Sequence, residues 1–197
     1  MEKLRYSVTV NAPVQDVWTT MLNDATYREW TSVFNSESSY EGDWDQGSEI
    51  RFLGPDGDGS VAGMIATVEE NRPNELISLR YIGQVVNGED DTTSEEAKAF
   101  MGSHEKYAFS ESEGATTVDV ELDSEDEFVA MFDEAWPLAL EKLKHIWKPG
   151  AEALLSSRVR RNAKNPADST RPLRRTGRDS GLLPARPDLF RNGPFRS

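Results

Sequence analysis

Residues 124–148, SEDEFVAMFDEAWPLALEKLKHIWK, carry the clearest structural pattern in this chain. Apolar side chains recur there at spacings of three and four residues over about five turns, which predicts one long amphipathic helix. Ser124 and Glu127 predict a capping box at its start, Pro137 predicts a kink in its middle, and Pro149-Gly150 ends it. The apolar stripe comprises Phe128, Met131, Phe132, Ala135, Trp136, Ala139, Leu143 and Ile146.

The N-terminal segment alternates between apolar and polar residues before it changes to a helical period. Residues 4–10 have the period of two that is typical of a half-buried strand. Asn11 is the predicted N-cap of a short helix that carries Val14, Val17, Trp18 and Met21. A second short helix is predicted over residues 24–30, directly after Asn23.

Between residues 37 and 122 the period of two returns and predicts about six more strands. Each strand has one apolar and one polar face, as in an antiparallel sheet that is packed on one side. Turn residues separate them at 54–59 and 72–74, and a long acidic connection at 84–103 contains a capping box for a short helix. The long C-terminal helix is the only predicted element large enough to cover the inner face.

The predicted fold is therefore α+β. A curved antiparallel sheet of about seven strands wraps around a long C-terminal helix, and two short helices follow the first strand. The predicted domain covers residues 1–148.

Charge divides the chain into two parts. Residues 1–148 hold 11 Lys and Arg against 31 Asp and Glu, a net charge of −20, whereas residues 149–197 hold 11 against 4, a net charge of +7. Because binding to phosphates depends on basic side chains, the acidic part is not expected to bind nucleic acid or anionic lipid.

The basic segment 149–197 is rich in Arg, Pro, Gly, Asp and Ser, and it has no periodicity. We predict that it is disordered. One interpretation is a basic arm that binds nucleic acid, an acidic partner or the domain's own acidic face. The other is a non-native sequence, of the kind that translation past a frameshift gives.

The composition excludes several classes of protein. The chain has no cysteine, which excludes thiol catalysis, disulfide frameworks and cysteine zinc sites. It has no apolar run of about 18 residues and no signal-peptide pattern, so a cytoplasmic location without a membrane span is expected.

Several segments resemble a known family once their order is considered. They are residues 11–18, NAPVQDVW; 42–48, GDWDQGS; 107–111, YAFSE, followed by 114–118, GATTV; and 136–144, WPLALEKLK. In this order they are similar to the activator of heat-shock-protein-ninety ATPase homologue-like family of the SRPBCC, or START-like, superfamily. The resemblance covers roughly residues 3–148 and implies a helix-grip fold, in which the sheet and the long helix enclose a cavity.

The inner face supplies the predicted ligand-binding residues of such a cavity. Tyr81 and Tyr107 could place their hydroxyls at its mouth or in solvent, and the alternative to a cavity is a filled core. Trp30 and Trp44 lie near predicted loops. Each could cover the core as a lid, or lie at the cavity mouth and contact a ligand or partner. The predicted site comprises Trp44, Ile50, Phe52, Tyr81, Tyr107, Phe109, Phe128, Phe132 and Trp136.

Other chemistry has little support in the sequence. His104 and His145 are the only imidazoles, and neither has neighbours at metal-ligand spacing. The acidic turns at 56–58 and 89–91 lack the continuation of a calcium loop, and no triad order, phosphate loop or dinucleotide glycine set is present. No metal or cofactor is expected, and the strand pattern identifies no inward-facing acid.

Three functions follow from these patterns. The first is a non-catalytic domain that binds a small hydrophobic, lipid-like molecule between sheet and helix. The second, implied by the resemblance, is a co-chaperone-like module that activates a heat-shock ATPase. The third is a cyclase or hydrolase that uses cavity residues, as some relatives of this fold do, and a buried acid beside Tyr81 or Tyr107 would support it. The oligomeric state stays open.

Overall fold

An eight-stranded antiparallel sheet dominates residues 1–147, the part of the chain that the computed structural model describes. The order of strands across it is β1-β8-β7-β5-β4-β3-β2, with the three-residue β6 paired to β5. The predicted antiparallel sheet of about seven strands is confirmed, and β6 is the addition. The strands are β1 (Glu2–Val10), β2 (Ser39–Gly42), β3 (Glu49–Pro55), β4 (Val61–Arg72), β5 (Leu76–Val86), β6 (Glu89–Asp91), β7 (His104–Ser112) and β8 (Ala115–Ser124).

Four α-helices accompany the sheet in this part of the chain. The second short helix matches its prediction, with Asn23 Oδ1 accepting a 3.1 Å hydrogen bond from the amide of Ala25. The predicted cap at Asn11 is wrong, because the first helix begins only after Pro13. Its Val14 amide instead donates a 2.8 Å hydrogen bond to the side chain of Glu111 on β7. The helices are α1 (Val14–Leu22), α2 (Asp24–Trp30), α3 (Glu95–Phe100) and α4 (Asp126–Ile146).

Helix α4 confirms the long C-terminal helix, but its start differs from the predicted capping box. Ser124 still pairs with Glu2 in the β1–β8 ladder, so its backbone belongs to the strand and Glu125 becomes the N-cap residue. The Ser124 hydroxyl donates to the carbonyl of Glu125 instead of capping the helix. The helix continues through Pro137, which lies on its exposed side.

The two halves of α4 bury different amounts of side chain. From Ala135 onward its inward face is packed in the core, through Trp136, Ala139, Leu140 and Leu143. The predicted stripe missed Leu140. In the first half, Phe128, Met131 and Phe132 are only half-buried. The core therefore lies under the C-terminal half of α4, and a space remains under its N-terminal half.

No helix within residues 1–147 is long and apolar enough to cross a membrane. The predicted basic tail, residues 149–197, and the predicted boundary at 148 lie outside the described residues.

Candidate functional site

A cavity of about 270 Å³ lies under the N-terminal half of α4, between that helix, the sheet, α2 and α3. Ala99 on α3 and Glu127 on α4 line it and are themselves exposed, so its mouth lies between these two helices. Six of the residues predicted for the site line it: Phe52, Tyr81, Tyr107, Phe128, Phe132 and Trp136.

The other three predicted residues lie elsewhere in the core. Ile50 is fully buried in β3, and Phe109 packs against Trp18 of α1 with 5.0 Å between ring centroids. Trp44 packs against Phe52, with 5.7 Å between centroids. Alternation identifies the face of a strand on which a residue lies, but not which helix covers that residue. The prediction therefore assigned these three residues to the cavity together with those that border it.

The most buried carboxyl group that lines the cavity is Glu105, which is not among the residues predicted for the site. Its side chain is 9% exposed and lies between two tyrosines. The Tyr81 hydroxyl donates a 2.7 Å hydrogen bond to Glu105 Oε2, and the Tyr107 hydroxyl donates to Oε1. A buried acid beside these tyrosines is the feature that would support acid–base chemistry.

The signal for Glu105 was present in the strand pattern. Glu105, Tyr107 and Phe109 alternate with exposed or half-buried residues along β7, so all three point to the inner face. The expectation that no inward-facing acid could be identified was therefore wrong. Glu105 has the same period of two as its inward neighbours Tyr107 and Phe109.

The register of β5 and β7 brings Tyr81 next to Glu105, because Leu79 pairs with Glu105 and Tyr81 follows two residues later on the same face. An irregularity in β5 lies directly after Tyr81. In the β4–β5 ladder, Ile65 pairs with Gly83 and Ala66 with Tyr81, which leaves Ile82 as an extra residue. Such a bulge changes the direction of the neighbouring side chains. Two backbone hydrogen bonds connect Tyr81 to the residues just before β7. Its amide donates to the carbonyl of Ser103 at 3.0 Å, and its carbonyl accepts from the amide of Gly102 at 2.9 Å.

Burial controls the protonation of these three groups. Removal from water raises the pKa of Glu105, and the hydrogen bonds from Tyr107 and Tyr81 oppose this only in part. Burial also raises the pKa of both tyrosines well above the usual value, and the nearby charge of Glu105 adds to the effect. The two hydroxyls therefore remain protonated donors at neutral pH, and Glu105 is the group of this site that can exchange a proton.

Trp136 forms the opposite wall and connects α4 to the aromatic lining. Its ring centroid lies 5.0 Å from that of Phe34, 6.1 Å from Trp30 and 6.3 Å from Tyr107. Trp30, which lies at the end of α2 and not in a loop, donates its indole N–H to the carbonyl of Met21 at 3.0 Å. The indole N–H of Trp136 is buried and has no partner among the described residues.

The two histidines take no part in this cavity. His104 Nε2 lies 3.2 Å from Glu69 on the outer face, and His145 lies near Glu141 at the end of α4. Within residues 1–147, no group of three or more His, Asp or Glu side chains is arranged to hold a metal ion.

Comparison with solved structures supports the helix-grip fold. The Aha1 dimer from Colwellia psychrerythraea aligns with 77% of this chain and 99% of its own, at 17% identity and a TM-score of 0.56. CalU16 from Micromonospora echinospora aligns with 82% of this chain and 84% of its own, at 17% identity and a TM-score of 0.52. Protein MLL2253 from Mesorhizobium loti aligns with 73% of this chain and 95% of its own, at 14% identity and a TM-score of 0.55. At these identities the likeness concerns the fold alone.

Comparison of the sequence with family models identifies the family. No curated protein gives a significant match to the chain. Residues 11–148 match the model described as activator of Hsp90 ATPase homolog 1-like protein. That match includes α1 to α4 and most of the sheet, and it agrees with the resemblance carried by the segments at 11–18, 42–48, 107–118 and 136–144. The chain therefore belongs to the family of activator of Hsp90 ATPase homolog 1-like proteins.

Proposed function

We propose that this domain binds a small, largely apolar molecule in the cavity under the N-terminal half of α4. The observation that carries the proposal is an aromatic-lined space of about 270 Å³ between α4 and the sheet. Protein interiors contain few voids larger than a water molecule, and this space is much larger than that. Ligand pockets typically measure about 300–1,000 Å³, so the expected ligand is small.

The unpartnered indole N–H of Trp136 supports this proposal. Buried donors are nearly always hydrogen-bonded, and this one belongs to a residue that lines the cavity. A bound molecule with an acceptor atom, such as a hydroxyl or an ether, would satisfy it.

Binding of phenylbutanol, measured by isothermal titration calorimetry, tests the proposal. The variant Ala99→Trp places a large side chain at the cavity mouth and should abolish binding. Ala130→Trp is the matched control, because Ala130 is exposed on α4 and does not line the cavity. Loss of binding in both variants, or in neither, contradicts the proposed site, and so does the absence of binding to the wild type. Native mass spectrometry of the purified domain would identify a co-purifying ligand.

A second function, acid–base catalysis on the bound molecule, is favoured by Glu105. Burial raises the pKa of Glu105, a shift in the direction that suits a general acid or base, and the tyrosine hydroxyls would orient it. This is the chemistry of the cyclase or hydrolase alternative. Incubation of the domain with a metabolite extract, followed by mass spectrometry, tests it. Products that form with wild type but not with Glu105→Gln support catalysis, whereas identical profiles argue for binding alone.

Activation of a heat-shock ATPase is a third role, and it rests on family membership. ATP turnover by that ATPase, measured with and without the domain, tests it independently of the cavity.

A further inference from the structure

The charges of the cavity wall specify the kind of head group that its ligand carries. Glu105 lies inside the cavity, and Asp123, Glu125 and Glu127 also line it. Of the described residues that line the cavity, none is Lys, Arg or His. The single cation is the amino group of Met1, which lies 3.6 Å from Asp126. An anionic head group would therefore enter the cavity without a basic partner.

Glu105 differs from the other acids because its partners are neutral. Asp123 forms a 2.8 Å ion pair with Lys3, and Glu127 is exposed at the mouth. Glu105 accepts only from the hydroxyls of Tyr81 and Tyr107, and no ion pair joins it to a cation within residues 1–147. A buried carboxylate is costly unless a cation accompanies it. Without one, the buried Glu105 tends to hold its proton, and a cationic ligand would stabilise its ionised form.

Aromatic rings line the same cavity. The hydroxyls of Tyr81 and Tyr107 are hydrogen-bonded to Glu105, and the ring of Tyr107 lies 6.3 Å from that of Trp136, centroid to centroid. Tyr27, Trp30 and Phe34 also line the cavity. An ammonium group that comes within about 6 Å of the face of such a ring is attracted to it. A carboxylate in an aromatic-lined cavity therefore fits a nitrogen cation better than it fits an anionic head group.

We infer that the cavity takes an apolar amine, with its ammonium nitrogen at Glu105 and its hydrocarbon body against the aromatic wall. The inference rests on the proposed binding function and specifies its ligand class. The net charge of −20 on residues 1–148 acts in the same direction, because a negative domain attracts cations and repels fatty acids.

Three molecules that share one body and differ in head group provide the test: phenylbutylamine, phenylbutanol and phenylbutanoate. At pH 7 and moderate salt, calorimetry should show the amine binding about tenfold to a hundredfold more tightly than the alcohol, since a charge-assisted hydrogen bond replaces a neutral one. The acid should bind most weakly. Equal binding of amine and alcohol, or tighter binding of the acid, would overturn the inference.

The variant Glu105→Gln should remove the advantage of the amine and leave the alcohol affinity nearly unchanged. Glu134→Gln removes one negative charge from an exposed position of α4 that does not line the cavity, and it serves as the matched control, in which the amine should keep its advantage because exposed charges interact weakly. If the control removes the advantage as fully as Glu105→Gln does, the acidic surface and not Glu105 selects the amine, and the assignment of Glu105 is overturned.

The wild-type series remains decisive even if Glu105→Gln fails to fold, which circular dichroism would reveal. Its results also separate the two proposals. Alcohol binding that Ala99→Trp blocks, without preference for the amine, overturns the amine inference and leaves the proposed function intact. Failure of all three molecules to bind counts against the proposed function and removes the inference with it.

Discussion

The hydroxyl of Tyr81 on β5 donates a 2.7 Å hydrogen bond to Oε2 of Glu105 on β7. This contact joins two neighbouring strands through side chains at the wall of a cavity. It places a proton-exchanging group where a small ligand would lie, and Tyr107 holds the other oxygen of the same carboxyl group. The hydrogen bonds at this part of the cavity wall therefore join one carboxyl group to two hydroxyl donors.

The stability of the domain should depend on pH through Glu105. Burial raises the pKa of Glu105 above its ordinary value of 4.5, so the folded state holds this proton to higher pH than the unfolded state does. As pH rises between the two pKa values, the unfolding free energy of the wild type should fall relative to Glu105→Gln, by up to about 1.4 kcal/mol per pH unit. Below both values the difference should be constant.

Urea denaturation of both proteins from pH 4 to pH 8 measures this difference. The other acids titrate in both proteins and largely cancel in the comparison. A difference that stays flat, or that changes in favour of the wild type as pH rises, would contradict the stated environment of Glu105.

Removal of one tyrosine hydroxyl should raise the pKa of Glu105 further. Both Tyr81→Phe and Tyr107→Phe take away a donor that stabilises the ionised carboxylate, while the ring that buries it remains. Carbon-13 NMR of the glutamate carboxyl groups over a pH titration reports the pKa. Tyr40→Phe is the control, because the Tyr40 hydroxyl donates to the carbonyl of Leu22 and should leave the titration of Glu105 unchanged.

Replacement of Trp136 should be among the most damaging changes in α4. Trp136 is 3% exposed and contacts four aromatic rings, so Trp136→Ala should cost about 3–5 kcal/mol of unfolding free energy. Leu138→Ala, two residues later but 44% exposed, should cost less than about 0.5 kcal/mol. Chemical denaturation compares them, and similar costs would mean that α4 does not anchor the core through Trp136.

The start of α1 should depend on a side chain from β7. The Glu111 carboxylate accepts from the amide of Val14 at 2.8 Å, in the role predicted for Asn11. Glu111→Ala should cost about 0.5–2 kcal/mol, the usual effect of losing a cap. Asp119→Ala, which removes an exposed acid from β8, is the control. Thermal unfolding distinguishes the two variants. If Asn11→Ala loses as much stability as Glu111→Ala, Glu111 is not the group that caps α1.

Periodicity predicted the order of elements well because it is a local property. The alternation in residues 4–10 and the helical stripe from Phe128 onward are imposed by the buried face of each element, so each is readable without its partners. The predicted site was less complete. Ile50 and Phe109 lie on the inner face, as their strands predict, but neither borders the cavity.

The sequence by itself determined which residues face inward, including Glu105, whose position two residues before Tyr107 places it on the inner face of β7. Only the tertiary structure decided that Tyr81 reaches Glu105, because the register in which β5 pairs with β7 sets that contact. It also decided that about 270 Å³ stays open under the first half of α4. A local repeat fixes the direction of a side chain, whereas distances between elements far apart in the chain depend on how all of them pack together.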